Sequence, residues 1–167
     1  MKNKWVLSLF LLIVFLSACN SNSPETPEKT ETIAQEFNVK SINGQTINLS
    51  EKKPTLIYFM ATWCPTCVGL EKVFAQIHEQ YGDKVQLLTV DVDPSIDTKE
   101  QLAQFQKKYG GNWPHVLDEN QEITKQFQVK QLEEVALINK KGEQVFQDVN
   151  PSFEKLKSAL SDIGVQP

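Results

Sequence analysis

The apolar positions of this chain change period abruptly at one place. Residues 55–60, Thr-Leu-Ile-Tyr-Phe-Met, are an unbroken aliphatic and aromatic run with no turn residue inside it. That is the pattern of a strand buried on both faces. Beyond Cys67 the spacing becomes helical, with Leu70, Phe74, Ile77 and Tyr81 on one face. Ahead of this unit, short runs at 37–40 and 45–49 flank Asn43-Gly44, a strong hairpin-turn signal. After it, Gly82-Asp83 ends the helix and residues 85–92 form a second buried strand. Asp93-Pro94 breaks that strand, and Leu102, Phe105 and Tyr109 give a core stripe on a helix over 97–109, stopped by Gly110-Gly111. A short strand at 113–117, a short helix at 119–127 and two strands at 134–139 and 144–148 follow. Lys140-Lys141-Gly142 is the tight turn between the last two. Pro151 opens a final helix with Phe153, Leu156 and Leu160 inward. This order predicts an α/β fold with a mixed central sheet and helices on both faces.

The first eighteen residues have a different character. Met-Lys-Asn-Lys is a basic start, residues 5–16 are apolar, and Leu16-Ser17-Ala18 precedes Cys19. This order marks residues 1–18 as a secretory signal peptide, too short for a comfortable membrane span. Leu16-Ser17-Ala18-Cys19 also resembles the bacterial lipobox, which implies cleavage before Cys19 and a lipid on its thiol. The alternative is an uncleaved anchor helix with an incidental cysteine. Either arrangement places the remainder outside the cytoplasm and next to a membrane. Residues 19–33, rich in Asn, Ser, Thr, Glu and Pro, predict a disordered tether, and residues 34–167 form the folded domain.

Charge narrows the partners. Seventeen lysines stand against 21 Asp and Glu with no arginine, for a net charge of −4. No basic stripe with interleaved aromatics appears, so nucleic acid binding is not expected. The acidic balance supports solubility, and a monomer is expected.

Three cysteines are an odd number for an exported chain. With Cys19 carrying lipid, Cys64 and Cys67 remain as a pair. The loop they close is too short to restrict the unfolded chain much, so their spacing suits chemistry better than stapling. Cys64 falls where the strand hands over to the helix, whose unpaired N–H groups and dipole favour a thiolate. Pro65 fits there because its missing N–H costs nothing in a first turn. Cys67, one turn inside the helix, is placed to attack a mixed disulfide formed on Cys64. No second Cys or His pair lies at ligand spacing, so neither a zinc site nor a cofactor is expected.

Trp63-Cys64-Pro65-Thr66-Cys67 after an Ala-Thr and an apolar strand resembles the active site of the thioredoxin fold. The N-terminal β-hairpin and the central αβ insertion over 97–117 resemble the TlpA/ResA-like branch of exported thiol–disulfide oxidoreductases. Two further stretches, Trp113-Pro114-His115-Val116-Leu117-Asp118 and Ala136-Leu137-Ile138-Asn139-Lys140-Lys141-Gly142, are similar to that branch's later segments. The resemblance implies a membrane-anchored reductant of disulfides in exported proteins, fed by a membrane thiol donor. Cytochrome c maturation and thiol repair are the family roles it suggests.

Two positions depart from the family. Where its members carry a cis-proline facing the dithiol, this chain has Glu133, followed by Glu134. A non-proline cis bond costs ~3 kcal/mol, so a trans peptide is expected. Either the Glu133 carboxylate lies near Cys64, disfavouring its thiolate and making the dithiol slower and more reducing, or it points to solvent and alters docking alone. Tyr58 stands where thioredoxins place a buried aspartate that exchanges protons with the second cysteine. Glu71, one turn after Cys67, is either a substitute for that acid or a solvated helix residue. Trp63 is expected on the rim of the disulfide, and His78 and His115 as ordinary surface or edge structure.

Two other classes stay open at this level. Cys64, Cys67 and a histidine could hold a soft ion such as Cu(I), although copper chaperones of this fold space their cysteines by three. A thioredoxin-fold lipoprotein could also serve as a binding scaffold without catalysis.

Overall fold

The computed structural model describes residues 37–49 and 52–167. The expected signal segment, the lipobox with Cys19 and the tether lie outside the described residues.

The two-period unit folds as its pattern requires. Strand β3 (Thr55–Met60) is buried along its whole length, and helix α1 (Cys67–Tyr81) packs Cys67, Leu70, Phe74, Ile77 and Tyr81 inward. Before them, β1 (Asn38–Lys40) and β2 (Thr46–Asn48) pair antiparallel around the expected turn, where Gly44 supplies the positive φ of 78°. After α1 come β4 (Gln86–Asp91), α2 (Lys99–Tyr109), β5 (His115–Leu117), α3 (Glu122–Gln126), β6 (Glu134–Ile138), β7 (Gln144–Val149) and α4 (Phe153–Asp162). The main sheet has the order β5-β4-β3-β6-β7. The first three strands are mutually parallel, β6 runs antiparallel between β3 and β7, and the sheet is therefore mixed.

Strand β3 alternates its side chains between two cores. Leu56, Tyr58 and Met60 pack with α1, α2 and α4 on one face, while Ile57 and Phe59 join Ile47, Ile123 and Phe127 on the other. A fully buried side chain the size of Phe74 or Phe59 contributes about 1.5–3 kcal/mol by leaving water.

Several ends differ from the pattern-based bounds because polar side chains, rather than periodicity, set them. Helix α2 starts at Lys99, not at 97, since Thr98 and Gln101 form a reciprocal capping box. Asp97 is thereby left outside the helix. Helix α3 is shortened to Glu122–Gln126 because Asp118 gathers the N–H groups of Ile123 and Thr124. Strand β5 loses Trp113 and Pro114, and the Trp113 ring turns into the core beside Phe74. Helix α1 begins at Cys67, so this cysteine opens the helix instead of lying a turn inside it.

Candidate active site

Strand β3 aims its C-terminal end at the cysteine loop. The Ala61 carbonyl accepts the Cys64 N–H at 3.1 Å, which closes a turn and delivers Cys64 just ahead of α1. Cys64 and Cys67 are joined as a disulfide with Cα atoms 5.4 Å apart, inside the span that a disulfide bridges. The Cys67 N–H points at Cys64 Sγ at 3.3 Å, and the Thr66 hydroxyl lies 3.4 Å from the same sulfur. Donors to a sulfur favour its thiolate. Cys67 is fully buried and Cys64 is 5% exposed, so an incoming group reaches the pair through Cys64. Pro65 is exposed beside it, and Trp63 is 52% exposed on the rim as expected.

The loop is anchored by carboxylates from the β4–α2 connection. Asp97 accepts both the N–H of Thr62, at 2.8 Å, and its hydroxyl. Asp93 accepts the Trp63 indole N–H at 3.1 Å. Behind them Asp91 is completely buried, with its Oδ2 unpartnered. Burial foremost, and then the neighbouring Asp97 and Asp93 carboxyls, push the Asp91 carboxyl up to about 8, against the Asp93 N–H that favours its charged form. The folded chain therefore holds a proton that the unfolded chain releases above its ordinary value of 3.8. Stability contributed here is lost as pH rises from about 4 to about 8. Asp91→Asn, a neutral replacement of the same shape, is expected to flatten that slope. In thermal melts at pH 5 and pH 8 the wild-type chain should lose several degrees more than the variant. Parallel losses would show that Asp91 is already ionised at the lower pH.

Tyr58 fills the space under the dithiol. Its hydroxyl donates to the Cys67 carbonyl at 2.9 Å. Burial, then Glu71, then Glu133, raise it far above the ordinary tyrosine range, so it stays protonated and acts as a fixed donor rather than as a proton carrier.

Glu71 is not a solvated helix residue. It is completely buried, because positions 67, 70, 71 and 74 share the inward face of α1. Its Oε1 lies 2.9 Å from His115 Nε2 and its Oε2 accepts the Thr89 hydroxyl at 3.2 Å. His115 is likewise completely buried: it lies on the edge strand β5, as one of the two expected placements had it, but not at the surface, because its side chain faces α1. His78 is exposed and lies against the Trp113 ring. Gly110 closes over the pair. A Cβ there would meet His115 Cε1 and Nε2 at 2.9 Å and Glu71 Oε1 at 3.0 Å, none of them on a yielding surface side chain. Gly110→Ala is accordingly expected to cost about 1–3 kcal/mol in denaturant unfolding, and a neutral result would show that the pair can shift.

Glu133 faces inward. The peptide before it is trans, there being no cis bond among the described residues, and its φ is +69°, a strained value for a side-chain-bearing residue. Its N–H donates to the Phe59 carbonyl at 2.9 Å, and its carbonyl accepts the Asn150 N–H at 2.7 Å. Its Oε1 is buried without a partner, so the solvent-facing placement does not hold. Glu134 shapes this loop from below by accepting the N–H groups of Lys130 and Gln131. The sequence pointed neither to Asp97 nor to the contact between Glu71 and His115. The inward helical face at 71 and the strand alternation through 113, 115 and 117 were the available signals for the buried pair. Asp97 had none, since its partner Thr62 lies 35 positions away.

Among the described residues no group of three or more His, Cys, Asp or Glu is placed to hold a metal, and no helix is long and apolar enough to cross a membrane.

Residues 30–147 match the profile of the AhpC/TSA family. Sporulation thiol-disulfide oxidoreductase A of Bacillus subtilis is 27% identical over 160 residues, spanning 94% of this chain and 97% of that protein. Thiol-disulfide oxidoreductase ResA of the same organism is 32% identical over 118 residues, 67% of this chain and 63% of the relative. The crystal structure of StoA from Bacillus subtilis superposes with a TM-score of 0.63 at 28% identity, covering 74% of this chain and 94% of that one.

Proposed function

Because the chain belongs to the AhpC/TSA family and is a thiol–disulfide oxidoreductase of thioredoxin-like fold, we propose that it reduces disulfides in exported proteins through Cys64 and Cys67. It does so outside the cytoplasm, held at the membrane by a lipid on Cys19 and recharged by a membrane thiol donor. The reduction of exported thiols for cytochrome c maturation or for repair is the role this reading assigns. One observation carries the exchange chemistry: Cys64, 5% exposed, receives the Cys67 N–H on its Sγ while Cys67 is fully buried behind it.

The chemistry follows from that geometry. The Cys64 thiolate attacks a partner disulfide, forming a mixed disulfide and releasing one partner sulfur as thiolate. Cys67 loses its proton and attacks Cys64 Sγ, which expels the second partner sulfur. The partner gains two electrons and the Cys64–Cys67 disulfide forms. Charge around the dithiol favours the reducing direction. Asp93 and Asp97 hold the loop and Glu133 acts on Tyr58 beneath it. Carboxylates disfavour a thiolate and leave a neutral disulfide untouched, so they favour the oxidised pair and lower the potential.

Equilibration of the full chain in dithiothreitol or glutathione buffers, with thiols counted by alkylation and Cys67→Ser as control, tests this. The expected midpoint is near or below about −250 mV. A value near −120 mV would reverse the direction and make the protein an oxidant. Without a reversible two-electron transition the exchange reading fails.

A further inference from the structure

Asp91 and Asp97 bring two carboxyls together beneath the cysteine loop. Asp91 ends β4 and is completely buried, and Asp97, in the connection to α2, is 3% exposed. The two carboxyls are in hydrogen-bonding contact. Both oxygens of Asp97 accept from Thr62, Oδ2 from its N–H at 2.8 Å and Oδ1 from its hydroxyl. Accepting twice marks Asp97 as the carboxylate. Asp91 Oδ1 accepts the Asp93 N–H at 3.0 Å, which leaves Oδ2 as the orphan. Two ionised carboxyls have no hydrogen to share, and like charges in contact away from water repel. One proton on Asp91 Oδ2, donated to Asp97, removes both faults. The orphan is then satisfied and the pair carries a single negative charge.

The other charged groups around Asp91 have contacts of their own. Asp93 accepts the Trp63 indole N–H and the Ser95 hydroxyl. Asp118, beyond β5, gives its N–H to the Asp91 carbonyl at 2.9 Å and turns its carboxylate to Ile123 and Thr124. By strand alternation Asp91 shares the α1 side of the sheet with Thr89. There Glu71 is held by Thr89 and His115, and Cys67 lies in the disulfide. Lys99, the first residue of α2, pairs with Glu119 at 2.8 Å. The register partners of Asp91, Met60 on β3 and Leu117 on β5, are uncharged.

Thr62 connects this pair to the chemistry. It sits inside the turn that the Cys64 N–H closes on the Ala61 carbonyl at 3.1 Å. We propose that Asp91 is a positioning residue for disulfide exchange: one proton shared with Asp97 keeps Asp97 on Thr62, and so holds the turn that presents the attacking sulfur of Cys64. The proposal rests on the exchange reading and adds the group that keeps its nucleophile in place. When Asp91 ionises, the two carboxylates repel. Asp91 is fixed in β4 between β3 and β5, so Asp97 gives way and Thr62 loses both of its acceptors. Burial foremost sets this ionisation at about 8, so the turn is held below that pH and released above it.

Two measurements on the full chain test the proposal. In the oxidised wild type, the Thr62 amide in ¹H–¹⁵N spectra should shift with pH in one step, with its midpoint near 8. Asp91→Asn should abolish the step, because its amide donates to Asp97 at every pH and still accepts the Asp93 N–H. No step between about pH 6 and pH 9 in the wild type, or the same step in the variant, would overturn the proposal. The second measurement is the turnover of insulin disulfides with dithiothreitol over the same range, each chain taken relative to its own rate at the acid end. The pH dependence of the reagents is common to both chains and cancels. One unit above the midpoint roughly a tenth of wild-type chains keep the proton. There the wild type should fall about tenfold below the variant, since a displaced nucleophile loses its alignment. Parallel profiles, or a wild type that gains on the variant, would overturn the positioning role. Absence of turnover in both chains at every pH refutes the exchange reading instead, and the Thr62 step still decides whether the proton holds the turn.

Discussion

Cys67→Ser is expected to arrest the chain on its partners as a stable mixed disulfide, and Cys64→Ser to leave it unable to form one. The asymmetry follows from access. Cys67 has no exposed surface, whereas Cys64 keeps a little and is flanked by the exposed Trp63 and Pro65, so the first bond to a partner is made by Cys64. With serine at 67 nothing behind it can release the partner, since a hydroxyl does not displace a thiolate under these conditions. Turnover of a disulfide substrate should fall on the order of a thousandfold or more in either variant, as for loss of a covalent nucleophile. Non-reducing gels should show high-mass adducts with Cys67→Ser alone, and these should collapse on adding dithiothreitol. Adducts of equal yield from Cys64→Ser would mean that Cys67 is the entry point, and the direction of attack drawn from burial would be wrong.

The second large effect is on stability. His115→Ala is expected to destabilise the fold by about 3–5 kcal/mol, because it leaves Glu71 buried without its partner. The same argument predicts that the double replacement Glu71→Leu, His115→Val is far less harmful than His115→Ala alone. It lies between neutral and more stable than wild type by about 1–4 kcal/mol, since two apolar side chains carry no desolvation penalty. Urea unfolding of the wild type, Glu71→Leu, His115→Val and the double variant forms a thermodynamic cycle that isolates the pair. Additive losses would show that the two groups do not act as a unit.

The periodicities at 55–60 and 70–81 located β3 and α1 almost to the residue, since a run buried on both faces and an amphipathic helix have unlike signatures. The order of elements also gave the mixed sheet. The dithiol was legible for a local reason: both cysteines and the helix start that surrounds them lie within four consecutive residues. Glu133 was legible as a departure, and the trans peptide followed from the cost of its alternative.

What the chain by itself determined, then, is everything set by neighbours in sequence: elements, turns, the helix-start dithiol and the acidic balance. Tertiary structure alone decided where the remaining polar groups went. Glu71 and His115 are 44 positions apart, and Asp97 and Thr62 are 35 apart. Burial decides whether a carboxylate is a solvated surface group or a proton-bearing partner, and burial is a property of the packed sheet and helices. No local pattern shows it, because the free energy of a buried charge depends on which groups from distant segments replace the water it has lost.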